Sequence, residues 1–339
     1  MNQKFDMHFS IIVPVYNRPD EVEELLNSLV VQTFDQAYEI VIIEDGSTNS
    51  CADVLKNFQT KLNVQYLVKE NTGPGDSRNF GMQKAKGDYF LIFDSDCLIP
   101  ADYLSNVYQS LKANFVDCFG GPDAALPSFS KVQLAINHVM TSFFTTGGVR
   151  GGDEKLSRFQ PRSFNMGLSQ KAFETTQGFG NIHPGEDPEL VFRLWDAGFE
   201  TKLIKNAFVY HKRRISWEKF YQQVHKFGKV RPILNHWHPK YKKWSYYLPL
   251  IWVCFAILSF VLLPFGIYAP IKLLAVYYTI VFLEALFKLK DFTIAFYSLW
   301  ALTIQFSAYS LGFVKTLTNV QILHKNPLKT NPELFFTKN

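Results

Sequence analysis

Gly87–Asp96 reads GDYFLIFDSD, an apolar run from Tyr89 to Phe93 that stops at two aspartates separated by one serine. A short run rich in aromatic and branched residues, bounded by Gly on one side and acids on the other, predicts a buried β-strand. Asp94 and Asp96 then stand at its carboxyl end. Two carboxylates one residue apart at a strand end can share a divalent cation, and Mg²⁺ or Mn²⁺ held this way also grips diphosphate oxygens. A lone DxD triplet is common on solvated turns, so its place directly after the strand is what gives it weight.

The same grammar recurs upstream. Phe9–Val15 is a β-branched run, after which Pro19, Asp20 and Glu21 open a helix with Val22, Leu25, Leu26 and Leu29 on one face. Glu39–Ile43 reads as a second strand, ending in Glu44-Asp45-Gly46-Ser47, and Asn63–Val68 as a third. Helical stretches near Ala52–Phe58 and Asp76–Lys84 lie between the strands. Strands separated by helices predict a mostly parallel α/β sheet covered on both faces. Such sheets bind ligands beyond the carboxyl ends of their strands, and both acidic clusters fall on that edge.

Composition constrains the rest. With 47% apolar and 19% charged residues the chain is too apolar for a disordered protein. Its 32 Phe and 16 Tyr crowd toward the C-terminus, which points to a lipid environment. The net charge of +5 is uneven: Lys202–Lys243 holds twelve Lys/Arg against one acid, Glu218. Nucleic acid or an anionic membrane would each account for such a patch. Long uncharged segments follow, so the membrane is the expected partner and nucleic acid is not. Leu248–Tyr268 and Phe292–Val314 are 21 and 23 residues without a charge. Each is long enough to cross a hydrocarbon core of ~30 Å at ~1.5 Å per residue. Leu273–Phe287 is shorter and carries Glu284, a weaker span, and Pro264 and Pro270 suit a hairpin before it. Trp217, Phe220, Tyr221, Val224 and Phe227, interleaved with Lys219, Lys226 and Lys229, recur at helical spacing. That pattern fits a helix lying on a membrane surface, or an ordinary helix packed on a core.

The expected division is a catalytic domain over residues 1–214, a basic interfacial segment over 215–245, two to three transmembrane helices over 246–316, and a tail over 317–339. The basic segment, with Lys288 and Lys290, puts the catalytic domain on the cytosolic side. Three crossings would export Lys315, Lys325, Lys329 and Lys338, in conflict with the same tendency. The first apolar run, broken by Pro14, is too short for a signal peptide. The four cysteines show no metal or CxxC spacing and read as free thiols in a reducing compartment.

Five blocks, in order, carry a resemblance. They are SIIVPVYNR (Ser10–Arg18), EIVIIEDGS (Glu39–Ser47), GPGDSRNFGMQKAKGDYFLIFDSD (Gly73–Asp96), SFNMGLSQKAFETTQGFG (Ser163–Gly180) and GEDPELVFRLWDAGF (Gly185–Phe199). Together they resemble family 2 glycosyltransferases, over roughly Phe9 to Arg214. The resemblance implies a Rossmann-like GT-A catalytic domain, followed here by an amphipathic helix and a helical membrane region. It implies a nucleotide diphosphate-sugar donor contacted by Pro14, Tyr16 and Arg18, with Glu44 and Asp45 at the base. Arg78 would approach phosphate or a neighbouring carboxylate, and Ser95 and Asn165 complete the donor site. Asp94, Asp96 and His211 (in VYHKRR) would hold Mg²⁺ or Mn²⁺, although a lone histidine is as readily structural.

Asp187 is the implied general base for the acceptor hydroxyl, supported by Glu186, in an inverting displacement. The plain alternative for Glu186-Asp187-Pro188 is a helix start. Arg193 would pair with one of these carboxylates or lie on the surface. The Gly147–Gly152 loop, with Arg158 and Arg162, would close over the acceptor or be a plain loop. No QxxRW motif follows the base, which favours transfer of one sugar per encounter over processive synthesis. The expected enzyme is a multi-pass protein of the inner (plasma) membrane, with its catalytic domain cytoplasmic and a glycan or lipid-linked acceptor. Transfer to a polyprenyl phosphate is the alternative, and a degenerate membrane scaffold a more distant one. An anionic acceptor needs less help from a base, so the GED block leans toward a hydroxyl.

Overall fold

The computed structural model describes residues 7–124, 129–146, 159–211 and 216–336. Its strands are β1 (Phe9–Val15), β2 (Tyr38–Asp45), β3 (Val64–Lys69), β4 (Tyr89–Phe93), β5 (Cys97–Leu98), β6 (Cys118–Gly120), β7 (Asp123–Ala124), β8 (Asn165–Ser169), β9 (Thr201–Leu203) and β10 (Val209–His211). Seven form one sheet in the order β3-β2-β1-β4-β8-β6-β9. Its first four strands run parallel, β8 is antiparallel to both its neighbours, and β6 pairs parallel with β9. This is the expected α/β sheet, with one reversed strand inserted.

Alternation along the strands explains the layering. Phe9, Ile11, Val13 and Val15 share a core with Ile40, Ile42, Leu91 and Phe93. Val22, Leu25, Leu26 and Leu29 of the helix Pro19–Val30 cover it, with Leu104, Val107 and Leu111 of the helix Tyr103–Ala113. Ile12, Val41, Ile43, Phe90 and Ile92, the alternate residues, are buried as well. A sheet buried on both faces reads as continuous apolar runs, which is why the sequence announces its strands. The carboxyl edge then presents Glu44 and Asp45 from β2 and Asp94 from the turn after β4.

A small second sheet, β5-β10-β7, sits in the same unit. Its antiparallel pairing sets His211 opposite Cys97 and Tyr210 opposite Leu98. That register brings two segments more than a hundred residues apart to one place.

The chain divides into two compact units. Among the described residues the first holds 7–124, 159–211 and 335–336, and the second holds 129–146 and 216–334. The division differs from one made along the sequence. The helix Lys131–Thr141 buries Ile136, Val139 and Met140 among residues of the second unit, and Phe335 bridges to Ile182 in the first.

The second unit is helical, and its apolar segments differ from expectation. Two segments, Trp244–Val261 and Ala269–Leu289, are long and apolar enough to cross a membrane, with mean hydropathies of 1.7 and 1.6. They present Ile251, Ile257, Phe260, Leu273, Val276 and Phe287 outward. The run Leu248–Tyr268 is not one helix, because the α-helix stops at Val261 and a turn with Gly266 at φ +74° follows. Phe292–Val314, expected as a clear span, lies within the helix Phe292–Leu317, which instead buries Ala295, Leu302, Phe306 and Phe313 within the unit. Its principal neighbour is the helix Trp217–Trp237, whose Phe220 and Val224 are buried in the shared core. The amphipathic stripe read as a membrane-surface face is therefore, at those positions, a packing face. The reason is a reciprocal glycine crossing. A Cβ on Gly228 would lie 2.1 Å from the Tyr309 carbonyl oxygen, and one on Gly312 would lie 2.3 Å from that of His225.

Backbone cannot yield as a flexible side chain does. Gly228→Leu is expected to cost about 1–3 kcal/mol, the usual penalty of overpacking, and to lower the unfolding temperature of the full chain in detergent. An unchanged unfolding temperature would mean that the two helices are not in backbone contact.

Candidate active site

The site is organised around Arg78. This residue lies on the helix Pro74–Lys84 and is almost wholly buried, so its charge must be met inside the protein. Nη2 donates to Asp94 Oδ1 at 2.7 Å, and Nη1 donates to Glu186 Oε1 at 3.3 Å. The guanidinium also lies 5.3 Å from the Phe179 ring centre. One fork thus joins the aspartate after β4 to the first residue of the helix Glu186–Asp196.

Glu186 receives a second partner, His183 Nδ1, at 2.9 Å. Burial opposes its ionisation, but His183 and Arg78 overcome this and hold the carboxyl down at about 2. Burial also works against the His183 charge, yet Glu186 beside it raises the imidazole above its ordinary value. Asp187 has the opposite environment. Burial, and then the adjacent Glu186 charge, push its carboxyl up to about 6, against the pull of Arg78, Arg162 and Ser163. The Ser163 hydroxyl bonds this carboxyl, whereas Oδ1 is buried without a hydrogen-bond partner among the described residues. Two neighbouring acids are thereby separated into a fixed anion and a proton acceptor of near-neutral pKa.

The β5–β10 pairing builds a second cluster. His211 Nε2 lies 3.0 Å from Asp96 Oδ1, and the ring stacks on Phe164 at 4.9 Å between centres. Ligand atoms of Asp96, Cys97 and His211 all fall within 4.8 Å of one another. Asp96 Oδ1 is buried, with the His211 imidazole as its neighbour at 3.0 Å, so carboxylate and imidazole face one another as a pair. Cys97 fits less well. Its thiol points at the Phe164 carbonyl at 3.5 Å, and burial, with Asp96 and Asp94 nearby, pushes it well above the usual thiol range. The donors left for a divalent cation are therefore the carboxylate, suited to a hard ion, and the borderline imidazole. Asp94 has one oxygen committed to Arg78.

The other expected donor residues divide into two groups. Tyr16 and Arg18 are exposed beyond β1, where Arg18 Nη1 pairs with Glu21 at 2.8 Å. Ser95 Oγ reaches the same Glu21 at 3.4 Å, so the turn after β1 and the DSD turn share one buried acid. Pro14 is half-buried within β1, opposite Ile43. Glu44 and Asp45 are buried and fully engaged. Glu44 accepts from Ser47, from the Cys51 amide at 2.9 Å and from the Tyr66 hydroxyl at 3.1 Å. Asp45 accepts from Lys69 at 2.7 Å and from the Thr72 and Gly73 amides, each at 3.0 Å. As placed, these acids set the loops that wall the edge.

Asn165 needs correction. It is fully buried in β8, and its amide donates to the Ala207 and Pro122 carbonyls while accepting from the Tyr103 hydroxyl at 2.6 Å. Every strong bond it can make inside the fold is made, so it ties strands together and does not face a donor. Arg193 reaches neither Glu186 nor Asp187. It forks onto Glu189 at 2.7 Å and caps the Thr176 and Gly178 carbonyls. The Gly147–Gly152 loop and Arg158 lie outside the described residues. Sequence reasoning missed His183 and Ser163. The HPGE spacing, a histidine three residues before the acid, was the available signal for the first.

Comparison with known proteins agrees with this architecture. A family model, Glycosyl transferase family 2, matches residues 10–174. The poly(ribitol-phosphate) β-N-acetylglucosaminyltransferase TarS of Staphylococcus aureus is 37% identical over 114 residues, 33% of this chain and 19% of that protein. The minor teichoic acid biosynthesis protein GgaB of Bacillus subtilis is 25% identical over 219 residues, 63% of this chain and 24% of that one. The chain thus spans under a quarter of either relative. A mannosyltransferase of Pyrobaculum calidifontis, solved with GDP-Man and Mn²⁺, shares the fold with a TM-score of 0.62 at 15% identity, over 90% of this chain and 88% of that one.

The Asp187 shift carries a stability cost. An unfolded aspartate titrates near ~3.9, so between there and the folded value the native state binds more protons than the unfolded one. Stability then falls as pH rises through that window, and the whole penalty is present above pH about 6. Asp187→Asn should therefore be more stable than the parent at pH 7.5, with the difference shrinking toward pH 4. Denaturant unfolding at the two pH values checks this, and a variant less stable at pH 7.5 contradicts it.

Proposed function

Residues 10–174 belong to glycosyl transferase family 2, and from that premise we propose that the chain transfers one sugar from a nucleotide diphosphate-sugar to an acceptor hydroxyl, with inversion. The observation that carries the reading is the buried Asp187 oxygen, without a hydrogen-bond partner among the described residues, on a carboxyl raised to about 6. At neutral pH this group is ionised yet basic enough to take a proton, the poise that general-base catalysis rewards. Glu186 stays anionic through His183 and Arg78, and its charge is part of what makes Asp187 the stronger base.

Asp96 and His211, with Asp94 beside them, are the residues that would hold a divalent cation. Bound there, the cation would neutralise charge on the departing diphosphate, and the imidazole favours Mn²⁺ over Mg²⁺. Tyr16 and Arg18, exposed at the edge, would meet the nucleotide, with the Glu44 and Asp45 loops as its walls. The acceptor is proposed to be a cell-wall glycan of the teichoic-acid type, on the strength of what TarS and GgaB are named for. The outward apolar helices support residence in the plasma membrane, with the catalytic unit at its cytoplasmic surface.

Asp187→Asn should retain nucleotide binding while turnover falls by ~10²–10⁴-fold, the usual contribution of a general base. Asp96→Ala should lose its response to added Mn²⁺. Turnover of the parent should rise with pH through about 6, as Asp187 ionises. Steady-state rates on nucleotide sugars with a wall-glycan acceptor test all three, and full activity of Asp187→Asn would move the base elsewhere.

A further inference from the structure

Residues 335–336 do something that the transfer reading does not require. Phe335 bridges to Ile182, and the Phe336 amide donates to the Asn181 carbonyl at 3.1 Å. The Phe336 ring then lies on Gly73, filling the place a side chain would take there: a Cβ on Gly73 would meet ring atoms at 2.4 Å. The same ring lies 5.9 Å from the centre of the His183 imidazole.

Both neighbours are wired into the site. Gly73, at φ +91°, donates its amide to Asp45 Oδ2 and its carbonyl accepts from the Ser77 amide in the first turn of the helix that carries Arg78. His183 holds Glu186 at 2.9 Å, one residue before Asp187. One aromatic ring therefore touches the loop set by Asp45 and the loop that leads into the acid pair.

We propose that Phe336 is a positioning residue for the donor, a clasp whose ring, laid on Gly73 and beside His183, fixes the 72–73 loop against the 181–183 loop. The proposal deepens the transfer reading and rests on it for the identity of the ligand. The ring makes no polar contact and is partly exposed, so the clasp acts through shape and excluded water. Its loss frees the Gly73 backbone, which has no side chain of its own to limit it. A loop freed in this way must be ordered again by the ligand, and the cost appears in affinity.

The test uses the full chain in detergent, with UDP and GDP, each with Mn²⁺, as probes in titration calorimetry. Phe336→Ala should weaken the nucleotide that the parent binds by roughly tenfold, Phe336→Leu should recover most of the loss, and Leu328→Ala should bind as the parent does. Exchange of the Thr72 and Gly73 amides should quicken in Phe336→Ala without nucleotide, with the unfolding temperature little changed. Equal affinity of parent and Phe336→Ala, or unchanged exchange at those amides, overturns the clasp. A parent that binds neither nucleotide overturns the donor reading, and the positioning role falls with it.

Discussion

A guanidinium buried with two carboxylates is the constraint from which the rest of the catalytic unit follows. Burying an arginine is costly unless its fork is met by acceptors in the right geometry, and breaking such a pair leaves an uncompensated charge. Here the acceptors come from different elements, Asp94 beyond β4 and Glu186 at the start of its helix. Neither could drift without stranding Arg78, so the DSD turn and the acid pair are fixed to one another by electrostatics. A lysine would not substitute, because a point charge cannot hold two carboxylates in the fixed angular relation of a fork.

That fixation explains how adjacent acids acquire opposite characters. Glu186 has the cationic partners, and Asp187 is left with burial and with its neighbour's charge. Pairs of carboxylates pushed apart by environment are how one site supplies an ion and a base at the same pH. The arrangement stores a cost in the folded state, since a raised aspartate is a destabilised anion. Local stability is given up at Asp187, and the apolar sheet beneath, buried on both faces, supplies the rigidity that makes this tolerable.

What the sequence disclosed and what it hid divide along a physical line. Strands β1 to β4 were legible because each is a short run rich in apolar and branched residues, with acids closing β2 and β4, a signal contained within one window. The turn acids Glu44, Asp45, Asp94 and Asp96 were legible for the same reason. Partners were not, because they depend on pairing between distant segments. His211 was grouped with Asp94 and Asp96 through the family resemblance alone, because the β5–β10 register that sets it beside Asp96 involves only a few residues with no periodic signal. Asn165 looked like a ligand because it is polar in a recognisable block, yet it faces inward and is spent on carbonyls. Among the apolar helices, hydropathy alone does not separate a face covered by other helices from one covered by lipid. The spacing of Gly228 and Gly312 carried that information, and it becomes readable only once two helices are known to cross.

The bridge between Ile182 and Phe335 settles a matter of parity. A backbone pairing places both of its residues in one compartment, so a chain that leaves the catalytic unit after β10 and enters a bilayer must come back before Phe335. Any number of full crossings between them is even, and a re-entrant hairpin adds none. Were Trp244–Val261 and Ala269–Leu289 to cross a membrane as a pair, Lys315, Lys325 and Lys329 would stay on the side of the basic segment. The charge conflict of a three-crossing arrangement would then disappear, and the chain would return to the compartment in which it began.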